Sequence, residues 1–246
     1  MTGMSVHDLA KAAGAVICPA DYCQDKVIGE LVTDNRKIKE GDVFVAFIGE
    51  NIDAHRFVPA AFEAGAAGAV VSGLPESIPE GRFCALVDDT QKAYGKIAVY
   101  VRDCFDIPVI AVTGSVGKTT MKDMIASVLG VRKNVLKTEG NFNNHIGLPA
   151  TLLRLNAEHE AAVIEMGMNH KGEISYLTGI AKPTMAVITN IGDAHIGNLG
   201  SRENIFRAKC EIFEGLKPGG KAFLNGDDVL LRKLKDMPET IKDAEL

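Results

Sequence analysis

The fold is decided by the stretch Val109-Ile110-Ala111-Val112-Thr113-Gly114-Ser115-Val116-Gly117-Lys118-Thr119-Thr120. Its first residues are an apolar run typical of a buried strand, and a glycine-containing turn follows them. An amphipathic pattern comes next and ends at Gly130, which predicts a helix. The apolar stripe of that helix consists of Met121, Met124, Ile125, Val128 and Leu129.

This order of strand, turn and helix predicts a phosphate-binding loop. Gly114 and Gly117 let the backbone curl so that successive N–H groups face an anion, and the helix start directs its positive end at the same place. Lys118 can neutralise the β and γ oxygens of a nucleotide, and the Thr119 hydroxyl can bind Mg²⁺. The residues expected at the phosphates are Gly114, Ser115, Val116, Gly117, Lys118, Thr119 and Thr120.

The loop departs from the common pattern G-x-x-x-x-G-K-[ST] at one position, because Val112 stands where that pattern has its first glycine. A glycine-rich strand–helix turn with a chance lysine is the alternative to phosphate binding. The strand before the turn and the helix after it favour phosphate binding. The loop alone leaves kinases, GTPases and ligases equally open.

Composition narrows the class of protein. The chain has 246 residues, a formal net charge of −5 and five cysteines. Neither the charge nor any cluster of Lys and Arg predicts a nucleic-acid or membrane surface. The start of the chain lacks a signal-peptide pattern and no apolar run reaches about 20 residues, so we expect no membrane insertion. An odd number of cysteines without a C-x-x-C pair indicates reduced thiols and a cytoplasmic protein, which we expect to be a monomer.

The apolar runs divide the chain into two regions of an α/β protein. Residues 1–105 read as a small α/β domain with a connecting helix, which includes the strand-like run 43–48. Residues 106–246 alternate short apolar strands with helices, which indicates a mostly parallel sheet covered by helices. The strand-like runs of this second region are 109–112, 134–136, 161–164, 185–189 and 222–224.

Several motifs in this order resemble the Mur ligase family. After the phosphate loop come E-G-N-F-N-N-H-I-G-L-P at 139–149, E-M-G-M-N-H at 165–170 and N-I-G-D-A-H at 190–195. The segment R-A-K-C-E-I-F at 207–213 continues the match. The stretches T-D-N-R at 33–36, G-D-V-F-V-A at 41–46 and D-A-H-R-F at 53–57 are similar to the UDP-binding domain of that family.

The resemblance implies an ATP-dependent amide ligase of peptidoglycan precursor synthesis that uses Mg²⁺. The N-F-N-N and E-M-G-M-N-H motifs are most similar to family members that join D-alanyl-D-alanine to UDP-N-acetylmuramoyl-tripeptide. The family reaction forms an acyl phosphate from the peptide carboxylate and ATP, and the incoming amine then displaces phosphate. Another Mur ligase, such as the member that adds the third amino acid, remains an alternative.

The same resemblance assigns metal-binding roles. Glu165 ends a buried apolar run, where an unpaired carboxylate is costly, and it matches a Mg²⁺ ligand. His195 matches a metal-binding histidine, although a loop histidine is ordinarily unremarkable. Lys209 matches a lysine that family members carbamylate, which needs a neutral amine and therefore a partly desolvated pocket. Lys118, Lys209 and His195 are the expected catalytic residues.

Further polar residues are expected to contact substrates. The cluster Asn141, Asn143, Asn144 and His145 matches the substrate end of the cleft, although turn chemistry alone can explain clustered asparagines. Asn225 is expected either to contact the adenine of the nucleotide or to form part of a simple turn.

In the first domain, Asn35 and Arg36 are expected at the uridine or diphosphate. Family members often carry Ser in place of Asn35 and Gly in place of Ala54. The chain is expected to lack the C-terminal domain of the family and the last strands of its central domain. A nucleotide-binding module without ligase activity and a small-molecule phosphotransferase are therefore further alternatives.

Overall fold

The computed structural model describes residues 3–241. The chain forms two compact units, Met1–Tyr100 and Val101–Leu246, and the division falls in the last turns of one helix. None of the helices among the described residues is long and apolar enough to cross a membrane.

The first unit is built on a five-stranded sheet with the order β1-β5-β4-β3-β2. Strands β2, β3, β4 and β5 are parallel to one another, and β1 runs antiparallel to β5 at one edge. The strands are β1 Val16–Cys18, β2 Leu31–Val32, β3 Val43–Val45, β4 Gly68–Val71 and β5 Phe83–Leu86. The helices are α1 Val6–Ala13, α2 Val58–Glu63 and α3 Thr90–Asp103.

Local sequence explains the ends of these helices. Ser5 and Asp8 form a reciprocal capping box at the start of α1, and Gly14 ends it in the left-handed conformation. The Asp89 carboxylate accepts the N–H groups of Gln91 and Lys92 and so caps α3. The strand predicted at 43–48 is shorter in the structure, where β3 ends at Val45.

The second unit contains an all-parallel sheet with the order β10-β9-β6-β8-β7, which confirms the predicted fold class. Helices α4 and α6 both pack against the central strand β6. The strands are β6 Val109–Thr113, β7 Val135–Lys137, β8 Ala161–Glu165, β9 Met185–Ile188 and β10 Lys221–Leu224. The helices are α4 Lys118–Leu129, α5 Gly147–Leu152, α6 Glu173–Ala181, α7 Ile196–Leu199, α8 Arg202–Cys210, α9 Val229–Arg232 and α10 Pro238–Ile241.

The order of strands creates a candidate ligand-binding crevice. The chain passes from β8 on one side of β6 to β9 on the other. In open parallel sheets, ligands bind in the crevice outside the carboxyl ends of the strands at such a reversal. The segments that follow β6, β8 and β9 are therefore brought to one crevice.

The predicted apolar stripe of α4 is only partly correct. Met121, Ile125 and Leu129 pack on the core that contains Ile110. Met124 and Val128, in contrast, are 60% and 74% exposed. Residues four apart along a helix share a face, and the sheet covers only the narrower face that Met121, Ile125 and Leu129 form.

Candidate active site

The phosphate loop connects β6 to α4 in a closed turn. Gly117 precedes the helix with a φ of 78°, and no side chain caps this helix start. Because the first N–H groups of a helix lack acceptors within it, the N–H groups from Gly117 to Thr120 point out of the helix end toward the crevice. The Lys118 ammonium donates to the Gly114 carbonyl at 2.9 Å and holds the turn closed.

The loop after β9 accepts hydrogen bonds from the N–H groups of Ser115 and Val116 in this turn. The Ser115 N–H donates to the Asn190 carbonyl and the Val116 N–H to the Asn190 side-chain oxygen, both at 3.1 Å. The Asn190 amide nitrogen donates back to the Val116 carbonyl at 3.2 Å, and the Thr189 hydroxyl donates to the same carbonyl at 2.6 Å. Ser115 and Val116 therefore support the shape of the loop, while the outward N–H groups begin at Gly117.

Glu165 closes β8 beside this loop and is 2% exposed. Its carboxylate accepts the Thr119 hydroxyl at 2.9 Å and the Asn143 amide at 2.8 Å. The Glu165 N–H donates to the Thr138 hydroxyl at 3.0 Å. The structure thus brings together Thr119, Glu165 and Asn143, which are far apart in sequence, through direct hydrogen bonds.

Thr138 is itself held by a buried lysine. The Lys122 ammonium, on the inner face of α4, donates to the Thr138 carbonyl at 2.9 Å. Lys122 is 3% exposed and its ammonium also lies 3.4 Å from the Asp123 carboxylate. A chain of contacts therefore runs from Lys122 through Thr138 to the backbone of Glu165.

Two further basic residues, His195 and Lys209, are close enough to Lys118 for its charge to affect them. Lys209, on α8, is 2% exposed, and burial, followed by the nearby Lys118 charge, lowers the pKa of its amine to about 7. Burial also lowers the pKa of His195, and the charges of Lys209 and Lys118 lower it further, against a smaller opposing effect of Glu173. His195 precedes α7 with a φ of 67°, a left-handed conformation that is uncommon outside glycine. The Lys118 charge thus acts on both His195 and Lys209, and the Lys209 charge acts on His195.

The structure divides the predicted cluster of asparagines. Asn143 contacts Glu165, as described above. The Asn144 side-chain oxygen accepts the Gly147 N–H at 2.8 Å and the Ile146 N–H at 3.2 Å, so it supports the start of α5. Asn141 and His145 are exposed in the same loop.

Asn225 lies in a turn after β10. Its side-chain oxygen accepts the Asp227 N–H at 3.0 Å, which is the turn geometry considered from sequence. Asp228 accepts the Ile191 N–H at 2.7 Å and caps α9, and so joins this turn to the loop after β9. The sequence gives no signal for this role of Asp228, because it depends on a contact between two distant loops.

In the first unit, Asn35 and Arg36 begin a short 3₁₀ helix after β2. The Arg36 guanidinium forms two hydrogen bonds with the Asp34 carboxylate, at 2.9 and 2.8 Å. This contact lowers the pKa of Asp34 to about 2. The Arg36 side chain is nevertheless 83% exposed, so one face of its guanidinium remains accessible to an anion.

A cavity of about 810 Å³ in the second unit differs from the crevice in its chemical character. It lies between α4 and strands β9 and β10 and is lined mainly by apolar side chains, among them Met121, Ile125 and Phe223. Thr189 and Asn225 reach it, whereas Lys118, Glu165, His195 and Lys209 do not line it. Anionic phosphates need N–H groups and cations, so the charged crevice and not this cavity is the candidate site.

This fold and this site define a phosphate-loop α/β protein with a buried carboxylate beside the loop. The sequence model described as the Mur ligase middle domain matches residues 112–243, more than half of the chain. The chain belongs to the Mur ligase family.

Individual relatives agree with this assignment. A Synechocystis UDP-N-acetylmuramoyl-tripeptide–D-alanyl-D-alanine ligase is 48% identical over 85% of the chain, which covers 46% of that relative. The crystal structure of MurF from Acinetobacter baumannii matches 98% of the chain with a TM-score of 0.91 and 37% identity, over 52% of its own length. The Thermotoga maritima MurF crystallised with ADP matches 88% of the chain with a TM-score of 0.78 and 34% identity, over 49% of its length. The chain spans about half the length of these relatives.

Proposed function

We propose that this chain is the UDP-sugar-binding and ATP-binding part of a ligase that joins D-alanyl-D-alanine to UDP-N-acetylmuramoyl-tripeptide. The observation that carries the proposal is the Thr119–Glu165 hydrogen bond beside Lys118, a carboxylate and a cation at one phosphate loop. The names of the relatives, and the ADP in one of their structures, support the choice of substrates. The other Mur ligases remain the alternative for the same site.

The chemistry requires an anionic carboxylate to approach an anionic triphosphate. Lys118 and the outward N–H groups at the start of α4 offset the negative charge of the phosphates. The peptide carboxylate then attacks the γ-phosphorus and releases ADP. The amine of D-alanyl-D-alanine attacks the resulting acyl phosphate, and phosphate leaves from a tetrahedral intermediate.

The residues beside the loop fit a hard divalent cation. Glu165 and Thr119 present oxygen atoms, and Mg²⁺ is typically held by one or two carboxylates together with phosphates and water. Within residues 3–241, no group of three or more His, Cys, Asp or Glu side chains is arranged to hold a metal ion. Glu165, Thr119, His195 and a carbamylated Lys209 would hold Mg²⁺ here, and the ion would neutralise charge that develops on the phosphates.

Lys209 supports the proposal through its environment. With its pKa lowered to about 7, a substantial fraction of the amine is neutral at physiological pH. Only a neutral amine can add to carbon dioxide and form a carbamate. Its lowered pKa therefore gives Lys209 the reactivity that the proposed metal-ligand role requires.

The first test is calorimetric titration of the 246-residue chain with Mg·ATP, with Lys118→Ala in parallel. The expected result is binding by the unmodified chain and at least a tenfold weaker affinity in the variant, because a charge-assisted contact to phosphate is lost (about 1.5–3 kcal/mol). Lys171→Ala, at an exposed lysine, is the matched control. Absence of binding by a folded, unmodified chain would contradict the proposed nucleotide site.

A second titration tests the sugar nucleotide. UDP-N-acetylmuramoyl-tripeptide should bind, and Arg36→Ala should weaken that binding without changing Mg·ATP affinity. Equal affinity of the Arg36→Ala variant for the sugar nucleotide would contradict the role of Arg36. Binding of UDP-N-acetylmuramoyl-dipeptide in preference to the tripeptide would favour the member that adds the third amino acid.

A further inference from the structure

The first unit contains two thiols that face each other across a pair of strands. β1 and β5 are antiparallel, and in their register Cys18 is paired directly with Cys84. Directly paired residues of antiparallel strands project from the same face of the sheet. Cys18 accordingly packs against the apolar cluster that contains Cys84.

The backbone geometry of such a pair suits a disulfide. Paired Cα atoms of antiparallel strands lie about 4.5 or 5.5 Å apart, depending on the hydrogen-bonding pattern. Disulfides span Cα separations of about 4.4–6.8 Å, so either pattern lies within their range. The Cβ atoms of paired residues are slightly farther apart than in a typical disulfide, so the bond would be mildly strained and readily reduced.

We propose that Cys18 and Cys84 are a dithiol modification site, which a low-molecular-weight disulfide converts into a reversible cross-strand disulfide. The bond would tie the edge strand β1 to β5 covalently. It is separate from the ligase reaction proposed above and does not depend on that reaction.

The two thiols have unequal access to an oxidant. Cys18 is half-buried, whereas Cys84 is fully buried. A thiolate of Cys18 therefore attacks the external disulfide first, forms a mixed disulfide and releases one thiolate of the reagent. Cys84 then loses its proton to solvent and its sulfur attacks the Cys18 sulfur, which releases the second thiolate. Two protein thiols are oxidised and one reagent disulfide is reduced to two thiols.

Burial sets the speed of the closing step. Burial, with a smaller contribution from Cys18, raises the pKa of the Cys84 thiol to about 12. Because the thiolate is the nucleophile, closure should accelerate about tenfold for each increase of one in pH below that value. The direct pairing of the two residues places both thiols on one face of the sheet, which compensates in part for the small thiolate fraction.

The test uses oxidised glutathione on the 246-residue chain with Cys23→Ser and Cys104→Ser, because both of those residues are exposed. Remaining thiols are blocked with N-ethylmaleimide, and intact mass and peptide maps are recorded. The expected product has lost two hydrogen atoms, about 2 Da, and yields a peptide that links Cys18 to Cys84. Dithiothreitol should restore both thiols.

Two further variants separate the roles of the thiols. Cys84→Ala should accumulate one glutathione on Cys18, because the resolving thiol is gone, and Cys18→Ser should form neither product. A stable glutathione adduct on Cys18 with Cys84 still reduced would overturn the proposal, as would a folded chain in which both thiols stay unmodified. The peptide map of the chain that retains both cysteines decides the question even if Cys84→Ala does not fold.

Discussion

The Thr119 hydroxyl donates a hydrogen bond to the Glu165 carboxylate across the carboxyl ends of neighbouring strands, with 2.9 Å between the oxygens. A helix start and a strand end are thereby joined at one polar contact. The other oxygen of Glu165 accepts the Asn143 amide, so both carboxylate oxygens have a donor. These two contacts offset the cost of burying a polar side chain at this position.

Glu165→Gln should weaken the binding of Mg·ATP at least about tenfold while the chain stays folded, since a neutral amide binds Mg²⁺ poorly. The amide can keep both local contacts if the Asn143 side chain turns over. Titrations with ATP in the presence of Mg²⁺ and of a chelator would measure the effect. The Mg²⁺ dependence should disappear in the variant, and equal Mg²⁺ dependence in both proteins would contradict a metal-binding role.

Thr138→Val tests whether the contact chain from Lys122 positions Glu165. The substitution leaves the buried Glu165 N–H without its hydroxyl acceptor, which costs about 1–3 kcal/mol of unfolding free energy. Thr151→Val is the matched control, because Thr151 is a buried threonine whose hydroxyl contacts the Gly147 carbonyl, away from Glu165. Denaturant unfolding should show a loss in Thr138→Val, and only that variant should bind Mg·ATP more weakly. An equal effect of both variants on binding would assign Thr138 a structural role alone.

Much of the fold follows from sequence because its signals are local. Short apolar runs and the turn at Gly114 to Gly117 predict a parallel sheet and a phosphate loop, and the strands of the second unit confirm the parallel sheet. The exposure of Met124 and Val128 could not be predicted, since it depends on how much of α4 the sheet covers. A periodic apolar pattern marks a possible inner face without fixing its width.

The site was harder to predict where it depends on contacts between distant residues. Asn190 lies in a motif noted from sequence, but only the fold shows that it binds the backbone of the phosphate loop. Thr138 and Lys122 gave no signal, because a threonine after a strand and a lysine on a helix are ordinary. The sequence placed Asn143 and Asn144 in one cluster, and their different hydrogen bonds separate them.

Gly114→Ala should disrupt the phosphate loop. Gly114 has a φ of 149°, and a Cβ atom there would collide with the Thr189 hydroxyl. That hydroxyl holds the Val116 carbonyl, so its displacement would open the turn. Nucleotide binding should fall at least about tenfold, and the unfolding free energy should decrease by about 1–3 kcal/mol through strain and overpacking.

Gly226→Ala, where a Cβ atom meets open space, should change neither quantity. Normal binding by Gly114→Ala would show that the loop can re-form around a side chain.

Lys209→Met should stabilise the chain in a pH-dependent way. The native pKa of Lys209 is about 7, below the ordinary 10.5, because burial and then Lys118 disfavour its charge. Below about pH 7 the lysine is charged in both states, so the full cost of burying that charge is present, on the order of 5 kcal/mol. Between about pH 7 and 10.5 the unfolded state holds more protons than the native state, so stability of the unmodified chain rises with pH and the advantage of methionine shrinks. Denaturant unfolding from about pH 6 to pH 10 would measure this difference.

With Lys118→Met in both proteins, the advantage of methionine should begin to shrink at a higher pH, because a cation that lowers the pKa of Lys209 has been removed. A difference that stays constant over the whole range would contradict a buried, readily neutralised amine at Lys209.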